Sequence, residues 1–321
     1  MQFVIFDFKN HIMKNFSIAI HGGAGTLVKG MMTSELEAEY KSALKLALNA
    51  GYTILENGGS AVDAVEKAVI VLEDSHLFNA GKGAVFTADE THEMDASIME
   101  GKTLNAGAVS LICGIKNPIS LAKDVMEKSE HVFLAGEGAM QFAKMNDYKI
   151  EDASYFYDEF RHNQWLEIKD TDSFQLDHAK KKDSKFGTVG AVACDVKGNI
   201  AAATSTGGMT NKKFGRVGDS PMVGAGNYAN NKTCAISCTG SGEFFIRGVV
   251  AYDVACLMEH KELSLEEASN EVIHKRILEI GGDGGLIAVD SKGNTAMPFN
   301  TEGMYRASKS SNGKEEVSIY K

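Results

Sequence analysis

Proline and tryptophan are scarce in this sequence, which has three prolines and one tryptophan beside 33 glycines in 321 residues. Disordered segments are typically rich in proline, so this balance favours tight turns and close backbone contacts instead. Hydrophobic residues make up 44% of the chain, which is enough for a large buried core. The composition therefore predicts a folded protein, with either one large α/β domain or two domains.

Cysteine is also sparse, and the five cysteines form neither a CxxC pair nor a zinc-type spacing with histidine. We interpret them as free thiols in a reducing compartment. No apolar run reaches the roughly 18 residues that a membrane-spanning helix needs. Residues 1–15 lack a basic segment and a small-residue cleavage site, so no signal peptide is expected. We interpret them as a short extension, because Met13 directly precedes the first predicted strand. These features predict a cytoplasmic protein without a membrane partner.

Positive charge is concentrated only in the short run KKKDSK at 180–185, in a chain whose formal net charge is -10 and whose sequence pI is about 5.4. This charge balance argues against a nucleic-acid partner. The glycine turn at 22–25 matches neither the dinucleotide pattern GxGxxG nor the phosphate loop GxxxxGK[ST], so a nucleotide site is not expected.

The first half of the chain alternates apolar runs with amphipathic stretches. Ser34 and Glu37 have the spacing of a helix capping box at the start of one such stretch. The predicted elements are strands at 16–21, 84–86, 92–99 and 105–113, with helices at 34–56, 60–74, 118–128 and 135–146. Residues 147–187 are polar and charged with no clear period, and we predict a mobile linker there.

The second half begins with a strand at residue 188. Two segments share the turn Asp-x-Lys-Gly-Asn, at 195–199 and 290–294, and both predict β-hairpins. Helices are predicted at 242–259 and from Ser264, where Glu267 completes a capping box, to Gly281. Because strands pair locally and helices come in sets, the pattern favours stacked antiparallel sheets covered by helices over a βαβ chain.

Four polar clusters flanked by glycine stand at the ends of apolar strands in this half. They are GTVG at 187–190, TSTGG at 204–208, GRVGDS at 215–220 and TGSGE at 239–243. Strand ends are where a rigid scaffold presents side chains to a ligand, so four such clusters predict one site.

The expected bases of common hydrolases are missing, because the sequence has no GxSxG or HExxH motif. His21 beside glycines suggests an oxyanion loop, although a lone histidine is more often structural. A threonine nucleophile without a histidine can use a chain-terminal α-amine, whose pKa is about 8. That chemistry requires the threonine to become the first residue of a new chain. Thr188 directly follows the predicted mobile linker, so a cut before Thr188 would supply it.

Many motifs together resemble the plant-type asparaginase/isoaspartyl peptidase family of N-terminal-nucleophile (Ntn) hydrolases. They are HGGAG, GGSAVDAVEKAV, LFNAGKGAVFT, MDASIM, GTVGAVACD, ATSTGGMTNK, GRVGDSP, GAGNYA and TGSGE. The resemblance implies an αββα sandwich in a single domain, made as one precursor. It also implies a cut between Gly187 and Thr188, which yields an α chain of residues 1–187 and a β chain of residues 188–321.

The resemblance also implies roles for the catalytic residues. Thr188 is the nucleophile, and Thr206 hydrogen-bonds to it and tunes it. Thr239 and the Gly240 N–H form the oxyanion hole, where negative charge develops. Asn79 is an active-site amide that helps to hold the nucleophile.

The same resemblance assigns the substrate-binding residues. Arg216 clamps the α-carboxylate, for which a guanidinium fork is well suited, and Asp219 takes the α-ammonium. Gly242 makes a further backbone contact, beside Thr239 and Gly240. The implied activity is autoproteolytic activation followed by hydrolysis of β-aspartyl amide bonds in isoaspartyl dipeptides and asparagine.

Residues 72–82 resemble the sodium loop of the family, in which backbone carbonyls bind Na⁺, and oxygen is the ligand that hard cations prefer. The corresponding carbonyls belong to Leu72, Glu73, Ser75, Phe78, Ala80 and Lys82. No catalytic cofactor is implied, and the family resemblance suggests a dimer of αβ units.

Two alternatives remain at this point. Glycosylasparaginases typically have aspartate before the nucleophile, and Gly187 here favours the asparaginase branch. An inactive binding protein of the same fold is the other alternative, and the presence of Thr188, Thr206, Arg216 and Asp219 argues against it.

Overall fold

Two β-sheets stack face to face in the computed structural model, which describes residues 15–171 and 187–321. The larger sheet contains β1 (Ser17–Gly25), β2 (Met94–Glu100), β3 (Ala106–Ile112), β4 (Phe133–Ala135), β5 (Val189–Cys194), β6 (Ile200–Thr206), β11 (Gly303–Ser310) and β12 (Glu315–Tyr320), and the smaller contains β7 (Asn227–Ala229), β8 (Cys234–Gly240), β9 (Gly284–Asp290) and β10 (Thr295–Ala296). The strand orders are β12-β11-β1-β5-β6-β2-β3-β4 and β10-β9-β8-β7. Neighbouring strands are antiparallel except for β3 and β4.

Helices cover the outer face of each sheet. They are α1 (Ser34–Glu56), α2 (Ala61–Glu73), α3 (Pro118–Lys128), α4 (Gly136–Met145), α5 (Glu159–Leu166), α6 (Gly242–Gly248), α7 (Val250–Lys261), α8 (Leu265–Glu271) and α9 (Ile277–Glu279), with a π-helical turn at Val272–Arg276 and 3₁₀ turns at Gly81–Gly83 and Ala153–Tyr155. The first three helices pack on the larger sheet, and α7 and α8 pack on the smaller one. The predicted αββα sandwich is therefore confirmed. No described helix has both the length and the apolar character needed to cross a bilayer.

Strand β6 shows why both faces of these central strands are apolar. Ala201 and Ala203 face the helices, whereas Ile200 and Ala202 pack in the layer between the two sheets. Side chains alternate along a strand, so the even-numbered Thr204 and Thr206 point into that inner layer. The end of β6 thus carries its threonines toward the smaller sheet.

The repeated Asp-x-Lys-Gly-Asn turn forms both predicted hairpins in the same way. Asp195 Oδ1 accepts hydrogen bonds from the backbone N–H groups of Lys197 (2.8 Å) and Asn199 (3.0 Å). Asp290 Oδ1 accepts bonds from the N–H groups two and four residues further along, each at 2.9 Å. A short acidic side chain can satisfy a turn locally, which explains the shared motif.

Two helix predictions need correction. The N-cap of α1 is Thr33, whose hydroxyl accepts from the Leu36 N–H, so the predicted capping box at Ser34 is wrong because Ser34 is already helical. The helix predicted at 242–259 divides into α6 and α7 at Val249, which has left-handed φ and ψ of 47° and 45°. The capping box at Ser264 and Glu267 is confirmed.

The strand predicted at 84–86 does not form, because the Val85 N–H donates to the Asn79 side chain instead of to a neighbouring strand. The linker predicted at 147–187 differs from expectation over 147–171, where α5 and a 3₁₀ turn are found. Trp165 packs there near the ring of Phe86, with 6.3 Å between ring centroids, so scattered aromatic contacts order this segment without a periodic stripe. Residues 172–186 of the predicted linker lie outside the described residues.

Candidate active site

The strand ends of both sheets converge on one small cavity of about 30 Å³. In the larger sheet Val189 pairs with Ser205, which places Thr188 opposite Thr206 where the β5–β6 ladder ends. The cavity is lined by Gly187, Thr188, Thr206, Gly208, Met209, Arg216, Gly218, Asp219, Ser220 and Gly240. All four polar clusters therefore contribute residues to this cavity, and the cluster at 239–243 contributes Gly240.

Thr188 is buried and is held at both of its oxygen atoms. Its hydroxyl lies 3.2 Å from the hydroxyl of Ser220, and its carbonyl oxygen lies 3.0 Å from Nδ1 of His21. The resemblance predicted Thr206 as the hydroxyl's partner, but the Thr206 hydroxyl accepts from the Gly208 N–H at 3.1 Å. Within the described residues, the partner of the Thr188 hydroxyl is Ser220.

The backbone around Gly187 is closely packed, with no room for a side chain at Gly23 and little room at Gly187. A methyl group added to Gly23, whose φ is +112°, would lie 2.6 Å from the Gly187 nitrogen. A methyl group on Gly187 would lie 3.1 Å from the hydroxyl oxygen of Thr239, which itself accepts from the Ala24 N–H at 3.3 Å. The Thr239 hydroxyl is thus fixed beside the predicted cleavage position.

Arg216 and Asp219 form the charged side of the cavity. The Arg216 guanidinium donates two hydrogen bonds to the Glu243 carboxylate, from Nε at 2.8 Å and from Nη2 at 2.9 Å. Asp219 is 3% exposed, and its Oδ2 makes no hydrogen bond within the described residues. Burial raises the pKa of the Asp219 carboxyl to about 7, against the opposing pull of the Arg216 charge.

Gly242 lies directly behind these two side chains. A methyl group at this position would lie 2.9 Å from both Arg216 Nη2 and Asp219 Oδ1. Position 242 therefore has to be glycine if both charged groups are to face the cavity from their present positions.

Comparison with known proteins shows the family to which this chain belongs. A model of the asparaginase family matches residues 14–319. The chain belongs to the asparaginase family. It is 52% identical over 293 residues to an isoaspartyl peptidase of Escherichia coli K12, covering 90% of this chain and 91% of that protein.

Two more distant relatives point the same way. An isoaspartyl peptidase/L-asparaginase of Xenopus laevis is 44% identical over 288 residues, covering 89% of this chain and 90% of that protein. A plant-type L-asparaginase of Pyrococcus furiosus is 44% identical over 299 residues, covering 90% of this chain and 94% of that protein. The family resemblance inferred from the motifs is thereby confirmed.

Asn79 stands one step back from the nucleophile in this asparaginase-family site. Its Nδ2 donates to the Gly208 carbonyl at 2.7 Å, and its own carbonyl accepts from the Gly207 N–H at 3.0 Å. These bonds attach the loop after α2 to the turn that follows Thr206. Asn79 thus holds the wall of the cavity rather than Thr188 itself.

The loop predicted to bind sodium folds back on the end of α2. Gly81 has φ of +53°, and a methyl group there would lie 2.5 Å from the Glu73 carbonyl oxygen. At Gly83 the corresponding distance to the Phe78 carbonyl oxygen is 2.1 Å. Leu72, Glu73, Phe78 and Ala80 are fully buried in this loop, while Ser75 and Lys82 are more exposed. The described residues contain no group of three or more His, Cys, Asp or Glu side chains suited to a metal.

Two residues of the site were not assigned from the sequence, and a third, His21, contacts Thr188 instead of forming the suggested oxyanion loop. Ser220 contacts the nucleophile's hydroxyl, Glu243 binds Arg216, and His21 contacts the nucleophile's carbonyl. Burial lowers the pKa of His21 to about 3, so its imidazole is neutral and binds as a hydrogen-bonding group. All three lie within the motifs HGGAG, GRVGDSP and TGSGE, but the motifs alone do not indicate what these residues contact.

Proposed function

We propose that this chain cuts itself between Gly187 and Thr188 and then hydrolyses β-aspartyl amide bonds, in isoaspartyl dipeptides and in asparagine. One observation carries the proposal: the buried Thr188 shares a cavity with Arg216 and with Asp219, whose Oδ2 makes no hydrogen bond within the described residues. Opposite charges beside a nucleophile suit a zwitterionic amino-acid head. The names of the relatives, isoaspartyl peptidase and L-asparaginase, support the same substrate class.

Self-cleavage begins with the Thr188 hydroxyl. Its Oγ attacks the Gly187 carbonyl carbon, the C–N bond breaks, and the hydroxyl proton is transferred to the departing nitrogen. The result is an ester between Gly187 and Thr188 Oγ together with a free α-amine. Water then hydrolyses the ester, which releases the Gly187 carboxylate and restores the hydroxyl.

Turnover repeats this chemistry on a substrate amide. The α-amine of Thr188, with an ordinary pKa of about 8, accepts the hydroxyl proton as Oγ attacks the side-chain carbonyl of the substrate. The Thr239 hydroxyl and the Gly240 N–H stabilise the developing oxyanion. Ammonia or an amino acid leaves, and water cleaves the aspartyl ester.

Arg216 and Asp219 select the substrate. Glu243 binds the edge of the guanidinium formed by Nε and Nη2, so the edge formed by Nη1 and Nη2 faces the substrate's α-carboxylate. The ionised Asp219 binds the α-ammonium. A substrate with a blocked amine would leave this carboxylate buried and unpaired, which is costly.

The experiment combines protein chemistry with a substrate panel. The purified protein is incubated and its fragments are identified by mass and by N-terminal sequencing, while release of aspartate is followed from β-Asp-Leu, asparagine, α-Asp-Leu and N-acetylglucosaminyl-asparagine. We expect a fragment that begins at Thr188 and activity on the first two substrates. A preference for the glycosylated substrate would instead identify a glycosylasparaginase, and an uncut inactive chain would identify a binding protein.

We further propose that the loop at 72–82 binds Na⁺ through the six backbone carbonyls named above. The close approach of Gly81 and Gly83 to the Glu73 and Phe78 carbonyls supports a tightly folded loop at this position. A bound ion would contribute stability to the loop that holds Asn79. The melting temperature should then rise more in NaCl than in choline chloride at equal ionic strength, and equal shifts would contradict the assignment.

We also propose a cytoplasmic dimer of αβ units. The five cysteines, all free thiols in the structure, support a reducing compartment. Val223, Val249 and Tyr252 form an exposed apolar cluster around Gly224, which supports a second copy as partner. Light scattering after size-exclusion chromatography should give twice the mass of one αβ unit, and cell fractionation tests the compartment.

A further inference from the structure

The hydroxyl of Ser220 is not used by the steps described above, although it lies within hydrogen-bond distance of the reacting oxygen. It is 3.2 Å from Thr188 Oγ, and Ser220 is 1% exposed. Ser220 directly follows Asp219, which is proposed to bind the substrate's ammonium. Two adjacent residues therefore contact the nucleophile and bind the substrate's amine, Ser220 and Asp219 respectively.

The backbone of Ser220 is fixed from two sides. Its carbonyl accepts a hydrogen bond of 2.6 Å from the hydroxyl of Ser97, which lies on β2 within the larger sheet. Gly226 packs against the other side, where a methyl group would lie 2.8 Å from the Ser220 nitrogen. The hydroxyl of Ser220 is thus presented from an immobilised backbone.

The anchor Ser97 belongs to a network that returns to Thr188 through buried polar groups. Asn227 Nδ2 donates to the Ser97 carbonyl (3.4 Å) and to the Thr204 hydroxyl (3.2 Å). The Thr204 hydroxyl lies 2.7 Å from that of Ser237, which lies 2.9 Å from His21 Nε2. His21 Nδ1 completes the circuit at the Thr188 carbonyl oxygen. Thr188 is therefore held at its hydroxyl and its carbonyl by one connected network between the sheets.

We propose that Ser220 is a positioning residue that orients the Thr188 hydroxyl for attack, with Ser97 as its anchor. The inference depends on the proposed role of Thr188 as nucleophile. Threonine can place its Oγ in more than one rotamer, and a hydrogen bond from a fixed partner favours one of them. Either hydroxyl can donate in this 3.2 Å contact, and when Thr188 is the donor an Oγ lone pair is directed away from Ser220.

This role should matter more before cleavage than after it. In the uncut chain the nitrogen of Thr188 is an amide and cannot act as a base, so its hydroxyl depends on neighbouring side chains for orientation. After cleavage the free α-amine is an additional partner for Oγ. Loss of the Ser220 hydroxyl should therefore slow self-cleavage more than it slows turnover.

The test compares Ser220→Ala with Ser269→Ala, which removes the hydroxyl of another fully buried serine, on α8. The half-time of conversion into two chains is measured by intact mass, and kcat and KM for β-Asp-Leu are measured on the matured fraction. We expect self-cleavage of Ser220→Ala to slow about tenfold or more. Its kcat should fall by a smaller factor with KM little changed, and Ser269→Ala should match the unmodified protein.

Ser97→Ala provides the second variant, which is needed if Ser220→Ala does not fold. It removes the anchor without changing a residue that lines the cavity, and self-cleavage should slow as it does in Ser220→Ala. Wild-type cleavage rates in the variants would overturn the inference, as would a loss confined to KM or an equal loss in Ser269→Ala. Failure of the unmodified protein to cut before Thr188 is a separate outcome, because it would refute the proposed function itself.

Discussion

Replacing Asp219 by asparagine should remove recognition of the substrate's α-ammonium while nearly preserving the shape of the cavity. The carboxylate is 3% exposed, and its Oδ2 makes no hydrogen bond within the described residues, so a bound ammonium would be its natural partner. Breaking a buried charge pair of this kind costs about 2–5 kcal/mol. That cost corresponds to a loss of roughly thirtyfold to several thousandfold in kcat/KM for β-Asp-Leu.

The raised pKa of Asp219 also predicts how kcat/KM changes with pH. Burial raises the pKa of Asp219 to about 7, and only the ionised carboxylate attracts an ammonium, so kcat/KM should fall as the pH drops through 7. The α-amine of Thr188 must also be neutral to act as a base, and its ordinary pKa is about 8. The acid limb of the unmodified enzyme should therefore steepen from a one-proton to a two-proton dependence below pH 7.

The assay follows kcat/KM for β-Asp-Leu from about pH 5 to pH 9 in the unmodified enzyme and in Asp219→Asn. The variant should lose the steeper part of the limb and keep the one-proton part that belongs to the amine. N-acetyl-β-Asp-Leu serves as the matched substrate control and should be hydrolysed very slowly by the unmodified enzyme. A two-proton limb in Asp219→Asn, or equal rates on the two substrates, would refute this reasoning.

Substitutions at three other positions test separate parts of the site. Thr188→Ala should abolish self-cleavage and hydrolysis, as judged by mass and aspartate release, whereas Thr188→Ser should keep partial cleavage because serine lacks the methyl that restricts χ1. Arg216→Lys should raise KM about tenfold or more, since a point charge cannot replace a planar fork that already binds Glu243 along one edge. Gly242→Ala should also raise KM, because its methyl would lie 2.9 Å from Arg216 Nη2 and Asp219 Oδ1, yet mass spectrometry should show normal self-cleavage.

Local patterns predicted much of the fold. The Asp-x-Lys-Gly-Asn motif satisfies its own turn through one aspartate, so both hairpins could be predicted without knowledge of the rest of the chain. The helices from α1 to α4 were also predicted closely. Order in α5 and the strands β11 and β12 was not predicted, because these elements depend on contacts with residues far away in sequence, such as the pairing of β11 with β1.

The candidate site shows the same division. Glycine-flanked clusters and family motifs identified Thr188, Arg216 and Asp219, and the structure brings all three to one cavity. The partner of the Thr188 hydroxyl could not be predicted, because Ser220 reaches it only through the folding of a loop that Ser97 holds from another strand. The hydrogen bonds between Arg216 and Glu243 likewise join two different clusters. They could not be predicted from the positions of the two residues in the sequence.

The most direct measurement is the identity of the chain ends in the active enzyme. After prolonged incubation, intact-mass analysis and N-terminal sequencing should find a fragment that begins at Thr188. Hydrolysis of β-Asp-Leu should increase in proportion to that fragment. A preparation that hydrolyses β-Asp-Leu at full rate while Gly187 and Thr188 remain joined would contradict the proposed N-terminal threonine nucleophile.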